Sequence, residues 1–377
     1  SFFVTSSSVG GAQVFCSRFA NYLSEKGHEC YLISGLPSSG SRAFSRTFSS
    51  SSYPPFLSHR IINSLKNNCS ILDDICSLIK VFLYIIRHRD HVIITNSGKV
   101  SFFVRLSCLF SFKSCFFVIH GWSYTGWNFQ PVRLLYFFAE LFLDLTDFVI
   151  CTKIFVSSFD RRTRPVRIFN FFSRDHVVHN DCPDLSLLNP QVDPVTFSTK
   201  PDLNILTVAR LSSQKNFVTL LDALKLRPNY HLFIAGNGPE FSHISRLALT
   251  MGLNKQITFL GEICVSDLVY YYKHCDIFVL SSFWEGFPIS TLEAMSLSKP
   301  VVVSDVGGCS EIFEFNPSLP FGFLVPSINP LPHLLAALDS YALSERLLLD
   351  HSRNSRTVYD DFFSCNQNLS RLADIVI

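Results

Sequence analysis

The sequence lacks several features that mark common classes of protein. Only 16% of its 377 residues are charged and 47% are apolar, so the composition is that of a globular chain and not of a disordered one. Its 12 cysteines include no C-x-x-C pair, which argues against a zinc ribbon or a disulfide framework and favours a reducing compartment. No run of 18 uncharged apolar residues occurs, so a membrane-spanning helix is not predicted. Methionine is scarce, with 2 residues against 38 phenylalanines, and we interpret these aromatics as core residues because they show no periodic motif.

The length and the charge distribution indicate two domains of different character. A chain of 377 residues suits two domains of ordinary size. Residues 1–190 carry 19 basic and 12 acidic side chains, a net charge of +7, whereas residues 191–377 carry 13 and 18, a net charge of −5. A basic first half suits an anionic acceptor or an anionic membrane surface. Solvated faces without a partner are the alternative, and no nucleic-acid partner is predicted.

The chain opens with a β-loop-α-β pattern. A strand over Phe2–Thr5 leads to Gly10 and Gly11, and a helix over Ala12–Lys26 and a strand over Cys30–Ile33 follow. The two glycines come at the carboxyl end of the strand, where α/β sheets bind ligands, and they would allow a phosphate or sugar to approach the backbone. A plain tight turn is the alternative. Because the sequence starts inside a strand without Met or a signal peptide, we expect that a few residues precede it.

The rest of the first half continues the alternation of helices and strands. The predicted elements are a surface loop over 36–60, a helix over Ile71–Arg89, strands over His91–Thr95 and Cys115–Ile119, an apolar helix over Leu134–Leu145 and a strand over Asp147–Cys151. His120 directly follows one of these strands. A histidine at a strand end is usually structural, but this one comes where parallel strands present their carboxyl ends. The basic run Arg161–Arg167 is interpreted as solvated surface, with a phosphorylated lipid as the alternative partner.

A polar segment with four prolines separates the two halves. We place the first domain at 1–185, a linker at 186–200, the second domain at 201–355 and a terminal helix at 356–377. The second half predicts a further parallel sheet, with strands over Asn204–Ala209, Tyr230–Ala235, Gln256–Leu260, Ile277–Leu280 and Val301–Ser304. Helices are predicted over Phe217–Leu226 and from about Glu240 to Gly252, and the end of the chain over Ser344–Ile377 is predicted to be helical. The fold class is therefore α/β, with two doubly wound sheets that face each other across a cleft.

The stretch Ser281–Gly308 carries the strongest functional signal. Glu285 and Glu293 flank a turn, and a helix over Pro288–Ser296 is predicted because proline is tolerated in the first helical turn. The amides at the start of this helix would point toward an anion, assisted by the helix dipole. These are the amides of Phe287, Ile289 and Ser290. Two carboxylates around an anion site are unusual, although surface acids in an ordinary strand-turn-helix unit are the alternative.

Two cations follow the first strand of the second half. Arg210 comes at the strand end and Lys215 at the start of the next helix, so both can reach the same point. Fixed positive charge there would oppose the negative charge that develops on a diphosphate leaving group. A metal ion could do the same, but the sequence has no Asp-x-Asp triplet to hold one, and His176, His179 and Cys182 lack a fourth ligand. No metal and no other cofactor is predicted.

The sequence motif E-G-F-P-x-x-x-x-E at 285–293, followed by a strand and D-V-G-G at 305–308, closely resembles the nucleotide-sugar site of the retaining glycosyltransferases of family 4. This resemblance implies the GT-B fold, with two Rossmann-like domains, a first domain for the acceptor, a second for the donor, and a terminal helix that crosses back to the first domain. It is specific over 204–325 and weaker in the first half.

The resemblance also implies roles for individual residues. Glu285 would face the hydroxyls of the donor sugar and Glu293 those of the ribose, while the amides around Gly286, Phe287, Pro288 and Ile289 would bind the diphosphate. Residues of other loops would complete the site, with Gly236 and Gly238 beside the nucleotide, Glu262 near the base, His120 near the sugar, and Gly10 and Gly11 in the loop where the family has Gly-Gly-Ala. The G-x-G of Gly236 and Gly238 lacks the third glycine of a dinucleotide site. Two positions depart from the family pattern: Asp181 replaces a turn glycine, and Ser310 replaces a proline.

These observations predict a metal-independent retaining glycosyltransferase with Arg210, Lys215, Glu285 and His120 as catalytic residues. The donor would be a nucleoside-diphosphate sugar, and the acceptor a hydroxyl of a glycan, a lipid-linked glycan or a small molecule, in the assembly of a capsule, exopolysaccharide or lipopolysaccharide. We expect a cytoplasmic protein, with peripheral attachment to the inner face of the membrane as a variant. Two alternatives stay open: a nucleotide-sugar 2-epimerase of the same architecture, and a non-catalytic module that binds a sugar nucleotide or a membrane.

Overall fold

The structure is a computed structural model that describes residues 1–5, 11–36, 58–65, 70–96, 98–121, 138, 141–144, 146–147, 149–163, 174–190, 202–364 and 366–377. These residues form two compact units. The first comprises Ser1–Asn180 and Asn368–Ile377, and the second comprises Asp181–Gln367. Each unit is an α/β sheet with its own hydrophobic core.

The first unit contains, within its described residues, a sheet of seven parallel strands in the order β3-β2-β1-β4-β5-β6-β7. The strands are β1 (Phe2–Val4), β2 (Tyr31–Ser34), β3 (Ser58–Ile61), β4 (Ile94–Thr95), β5 (Cys115–Ile119), β6 (Cys151–Phe155) and β7 (Asp175–Val177). The helices are α1 (Gly11–Glu25), α2 (Ile71–Arg87), α3 (Gly98–Ser111) and α4 (Ser158–Arg162). Strand β1 lies in the middle, and its three residues are buried because helices cover both faces of a doubly wound parallel sheet.

Two predictions for the first unit were wrong. The predicted strand over Asp147–Cys151 is instead helical at 149–150, and the strand β6 begins only at Cys151. The predicted loop over 36–60 lies outside the described residues at 37–57, and its last residues form the edge strand β3, where Tyr31 pairs with Ser58. Of the predicted helix Leu134–Leu145, only 138 and 141–144 are described, and they are helical.

The second unit contains a sheet of six parallel strands among its described residues, in the order β10-β9-β8-β11-β12-β13. The strands are β8 (Leu203–Val208), β9 (Tyr230–Ala235), β10 (Ile257–Gly261), β11 (Ile277–Leu280), β12 (Val301–Ser304) and β13 (Gly322–Val325). The helices are α5 (Phe217–Lys225), α6 (Phe241–Thr250), α7 (Val265–His274), α8 (Ile289–Ser296), α9 (Gly308–Glu314), α10 (Pro330–Leu343) and α11 (Glu345–Phe362). A last helix, α12 (Gln367–Val376), ends the chain, and all but its first residue belongs to the first unit.

The sequence predicted most elements of the second unit within two residues. Strands β9, β11 and β12 have the predicted bounds. They are short, buried runs of branched and aromatic residues, which is the pattern of a parallel strand covered on both faces. Helix α8 begins at Ile289 and not at Pro288, which occupies the N-cap position just before the helix. The linker prediction at 186–200 falls largely on residues outside the described part of the chain.

Candidate functional site

The strand order of the second sheet marks one point on its edge. From β8 the chain moves outward through β9 to β10, and it then returns to place β11 on the other side of β8. In open α/β sheets, ligands bind at the carboxyl ends of the strands where the order reverses in this way. The loops after β8 and β11 therefore border the expected crevice. They carry six predicted site residues: Arg210, Lys215, Glu285, Gly286, Phe287 and Pro288.

An ion pair joins these two loops. Lys215 Nζ donates to Glu285 Oε1 at 2.5 Å, and the side chains are only 16% and 8% exposed. Ser282 Oγ donates to the same carboxylate oxygen. A pair with this little exposure is screened less than a surface pair. The sequence analysis assigned Lys215 to the leaving group and Glu285 to the sugar, and the structure joins the two side chains in one ion pair.

The backbone around Lys215 is fixed by contacts between the same two loops. Residues Ser213–Lys215 form one 3₁₀ turn. The amide of Phe283 donates to the carbonyl of Gln214 at 2.8 Å, and Gln214 Nε2 donates to the carbonyl of Trp284 at 2.7 Å. Ser281 Oγ donates to the carbonyl of Lys215 at 3.1 Å. These bonds fix the backbone from which the Lys215 side chain extends toward Glu285.

The residue after this turn closes the loop. Asn216 adopts a left-handed conformation with φ of 47°, which asparagine tolerates better than most residues, and it lies at the N-terminus of α5. Arg210, two residues after β8, is exposed and forms no hydrogen bond or ion pair within the described part of the chain. The convergence of Arg210 and Lys215 on one ligand stays a prediction.

The N-terminus of α8 is the third feature at this edge. The amides of Ile289 and Ser290 donate to no other group in the described residues, as expected for a first helical turn. The residue before Pro288, Phe287, has a buried side chain whose ring packs against that of Phe363, with centroids 5.9 Å apart. Phe287 therefore anchors the loop in the core. Together with Pro288, whose ring restricts the preceding backbone, it fixes where α8 begins.

Glu293 lies on α8 and is held by a tyrosine that the sequence analysis did not identify. Tyr272, on α7, donates its hydroxyl to Glu293 Oε2 at 3.0 Å and to the carbonyl of Ser290 at 3.1 Å. Burial, followed by the negative charge of Glu293, raises the pKa of Tyr272 well above its usual value, so the hydroxyl remains a donor. Tyr272 and Glu293 are 21 positions apart in the sequence, and no motif links them, so the sequence could not have predicted this contact.

Two glycines fit the loop after β12 against the loop that carries Glu285. A Cβ atom at Gly307 would lie 2.0 Å from the carbonyl oxygen of Glu285, and one at Gly308 would lie 1.8 Å from that of Gly286. Gly307 also has φ of 52°. The D-V-G-G motif is thus required by close backbone packing.

The departure at Ser310 has a structural role. Ser310 Oγ donates to Asp305 Oδ1 at 2.5 Å, which ties the first turn of α9 to the loop that precedes it. Asp181, the other departure, lies at the start of the second unit and has no positive φ, so the aspartate causes no left-handed strain there.

The remaining donor-site glycines of the second unit, Gly236 and Gly238, lie in the loop after β9. A Cβ atom at Gly236 would lie 2.1 Å from the carbonyl oxygen of Ala209, and one at Gly238 would lie 2.2 Å from that of Leu211. The amide of Gly236 in turn donates to the carbonyl of Gly261 at 2.8 Å, beside the predicted base-contact residue Glu262. These loops therefore pack side by side along the edge that carries Arg210.

The first unit contains the predicted site residues His120 and Gly11 among its described residues. His120 follows β5, and its Nε2 lies 3.4 Å from Oδ1 of Asn96, which follows β4. Its ring also packs edge-on against Phe15 of α1, with centroids 4.9 Å apart. Burial lowers the pKa of His120 to about 4, so the imidazole is neutral near pH 7. Gly11 starts α1 with open space where a Cβ would be, while Gly10 lies outside the described residues.

No metal centre is evident in the part of the chain that the structure describes. No three His, Cys, Asp or Glu side chains among these residues lie close enough to hold an ion together. The positive groups described at the carboxyl edge of the second sheet are side chains and helix amides.

Comparison with known proteins adds a second line of evidence. The model of the family described as glycosyl transferases group 1 matches residues 192–345. The O-antigen biosynthesis glycosyltransferase WbnH of Escherichia coli is 27% identical over 323 residues, which is 84% of this chain and 83% of that protein. The UDP-Gal:alpha-D-GlcNAc-diphosphoundecaprenol alpha-1,3-galactosyltransferase of Escherichia coli is 25% identical over 333 residues, 84% of this chain and 82% of that protein. Among solved structures, Anabaena Alr3699/HepE in complex with UDP-glucose superposes with a TM-score of 0.76 at 18% identity, over 99% of this chain and 98% of that one.

Proposed function

The chain is a glycosyltransferase of the GT-B fold, and from this premise we propose that it transfers a sugar from a nucleoside-diphosphate sugar to a hydroxyl of a lipid-linked glycan during surface-polysaccharide assembly. We further propose that it retains the configuration of the sugar and needs no metal ion. The second unit binds the donor. The reaction breaks the bond between the anomeric carbon and the diphosphate and forms a bond from that carbon to the acceptor oxygen. The hydroxyl proton passes to the departing phosphate.

The Lys215–Glu285 pair at the reversal point of the second sheet carries this proposal. A diphosphate there would meet the ammonium of Lys215, the exposed guanidinium of Arg210 and the unpartnered amides that begin α8. Each of these groups opposes the negative charge that grows on the leaving group. The carboxylate of Glu285 lies at the same point, where it can accept hydrogen bonds from sugar hydroxyls.

The strength of a charge–charge interaction supports a role for fixed cations in place of a metal ion. Two unit charges about 4 Å apart attract each other by roughly 4 kcal/mol at an effective dielectric constant near 20. If that attraction were realised fully in the transition state, it would accelerate the reaction by about a thousandfold. His120, neutral because its pKa is lowered to about 4, would act on the sugar through hydrogen bonding and not through charge.

Names of similar proteins support the choice of substrates. One relative is named for a UDP-galactose donor and a diphosphoundecaprenol-linked acceptor, and one solved structure holds UDP-glucose. Another relative, from Escherichia coli, is named for O-antigen biosynthesis. We therefore propose a UDP-sugar as donor, a polyprenyl-diphosphate-linked glycan as acceptor, and a place of action at the inner face of the membrane.

Calorimetry in the presence of EDTA tests the donor site. In calorimetry we expect UDP to bind more tightly than GDP or ADP. In a transfer assay we expect Arg210→Ala and Lys215→Ala each to lower the rate by about a hundredfold to a thousandfold. Lys225→Ala, which removes an exposed lysine from the far end of α5, is the matched control and should leave the rate unchanged. Unchanged rates in both site variants would refute the proposal.

Two other outcomes would point to the alternatives. Conversion of the nucleotide sugar without any acceptor would indicate a 2-epimerase. Tight donor binding without turnover over a broad panel of acceptors would indicate a non-catalytic module. Loss of transfer on addition of EDTA, restored by a divalent ion, would refute metal independence alone.

A further inference from the structure

Helix α2 presents an apolar surface to solvent. Six of its large aliphatic side chains are exposed, and we call them the apolar stripe: Ile71 (81% exposed), Leu72 (78%), Ile75 (51%), Ile79 (51%), Leu83 (43%) and Ile86 (37%). The donor site uses none of these residues.

The six side chains form one continuous face. At about 100° per residue they fall within a sector of about 120° on the helix. The opposite side packs into the core through Val81, Tyr84 and Ile85. An ordinary surface helix places polar residues outward, so the exposed side of α2 has the composition of a face that is covered in use.

Basic side chains border the stripe along one side. Arg87 and Lys80 lie about 40° to 60° further around the helix than Leu83. Arg60 comes from the neighbouring edge strand β3. These three line a cavity of about 220 Å³ together with Ile61, Leu83 and Tyr84, and none of the lining residues is acidic. The guanidinium of Arg60 lies 5.8 Å from the centroid of the Tyr84 ring.

The acidic residues of α2 lie away from these bases. Asp73 and Asp74 are in the first turn, and Asp74 pairs with Lys99 of α3 at 2.6 Å. Arg60, Lys80 and Arg87 have no acidic partner within the described part of the chain. A band of positive charge therefore runs beside an apolar face.

We propose that the apolar stripe and its three bases form a docking surface for the anionic phospholipid bilayer. The stripe enters the boundary between headgroups and acyl chains, and Arg60, Lys80 and Arg87 bind the lipid phosphates. Helix α2 would lie in the membrane plane over about 25 Å. No helix in the described residues is long and apolar enough to cross a membrane, which agrees with attachment at the surface.

Charge favours a bilayer over a second copy of the chain as the occupant. A symmetric dimer through the stripe would add three further bases to the three already present and would supply no acidic partner from this face. A bilayer with anionic lipids supplies both an apolar interior and phosphate groups. The inference deepens the proposed place of action at the inner face of the membrane, and it uses neither the donor nor the acceptor site.

Sedimentation of the full-length chain with lipid vesicles tests the proposal. We expect binding to vesicles of phosphatidylglycerol and phosphatidylcholine in equal parts, and much weaker binding to phosphatidylcholine alone. The double variant Ile75→Asp and Ile79→Asp should weaken binding by more than tenfold. The double variant Lys80→Gln and Arg87→Gln should weaken binding to the anionic vesicles by about 25-fold, which is about fivefold for each base.

Two matched controls come from the second unit. Ile328→Asp with Leu343→Asp changes two highly exposed aliphatic residues, and Arg346→Gln with Arg353→Gln removes two exposed bases of α11. Both controls should bind vesicles as the parent chain does. All variants should melt within a few degrees of the parent and bind UDP with the same affinity, because the changed side chains are exposed.

Three results would overturn the proposal: no binding of the parent chain to anionic vesicles, equal losses in variants and controls, or a parent dimer that the Ile75 and Ile79 changes convert to a monomer. The last result would assign the stripe to self-association. Failure of vesicle binding with intact sugar transfer would refute the docking surface and leave the proposed function standing.

Discussion

The ion pair between Lys215 and Glu285 shows what individual residues contribute at the donor edge. The two side chains are 70 positions apart and come from loops on either side of the strand reversal, yet they meet at 2.5 Å. The sequence identified both residues by their motifs. It could not show that they form an ion pair with each other, because this depends on the hydrogen bonds that Ser281 and Gln214 make between the two loops.

Tyr272 provides a test of Glu293 at the residue scale. We expect Tyr272→Phe to raise KM for the donor by about tenfold or more and to change kcat by less than twofold. The loss of a hydrogen bond to a charged group costs about 1.5 kcal/mol or more, and Glu293 would bind only the ribose. Steady-state kinetics with varied donor concentration measure this split.

The matched control for this change is Tyr230→Phe. Tyr230 also donates to a carboxylate, Asp339 Oδ1 at 2.8 Å, but this pair lies with Arg227 at the end of the sheet where β9 begins. The control should lower the melting temperature and leave donor KM unchanged. An equal rise of KM in both variants would mean that Tyr272 supports only the fold.

At the scale of elements, the sequence predicted strands well where their buried side chains are apolar, and it failed where a buried side chain is charged. Strand β6 was misplaced because its central residue, Lys153, resembles a residue of a polar turn. The structure buries Lys153 at 3% exposure and pairs it with Asp144 and Asp147, to which Arg105 also binds. Four buried charges that compensate each other leave no hydrophobic pattern along the chain.

The edge strand β3 was missed for a related reason. Its sequence, Ser-His-Arg-Ile, is exposed for most of its length and has no apolar alternation. Only its pairing with β2 makes it a strand. Glycine positions were more informative, since Gly236, Gly238, Gly307 and Gly308 each meet a backbone carbonyl that leaves no room for a Cβ.

Gly308 provides the test at the element scale. We expect Gly308→Ala to push the loop after β12 away from Gly286, because the added Cβ would lie 1.8 Å from a carbonyl oxygen that cannot move independently of α8. Donor affinity should fall by at least about tenfold, since a displacement of even 1 Å in a binding loop is costly. Calorimetry with UDP measures the loss.

Gly252→Ala separates this effect from general instability. Gly252 has φ of 77° and open space around the position of a Cβ, so alanine there strains the backbone by about 1 to 2 kcal/mol without displacing a loop of the site. This variant should melt earlier and bind UDP normally. If Gly308→Ala also binds UDP normally, the D-V-G-G loop does not shape the donor site.

At the scale of the whole molecule, both units share one design. The first sheet reverses its order between β1 and β4, as the second does between β8 and β11. In the second unit the predicted residues Lys215 and Glu285 come after the two strands at the reversal, β8 and β11. In the first unit Gly11 comes after β1, while His120 follows β5 and lies 3.4 Å from Asn96, which follows β4. The sequence motifs predict contacts to the nucleotide in the second unit, and contacts to the sugar from Glu285 and from His120 of the first unit.

Hydrogen exchange measured by mass spectrometry tests this division. We expect UDP to protect the amides at 210–216, 281–290 and 305–308 and to leave the first unit unchanged, because the diphosphate and ribose would contact only loops of the second unit. The corresponding UDP-sugar should add protection at Gly11–Phe15 and around His120. Lys215→Ala should reduce every one of these changes at the same ligand concentration.

The two ligands differ only by the sugar, so the comparison separates recognition of the sugar from recognition of the nucleotide. Protection of the first unit by UDP alone would show that the nucleotide reaches both units, and the assignment of His120 to the sugar would be wrong. Protection confined to the second unit with both ligands would remove His120 and Gly11 from donor binding. That result would leave the strand reversal of the first sheet for the acceptor, whose hydroxyl must approach the same anomeric carbon for transfer to occur.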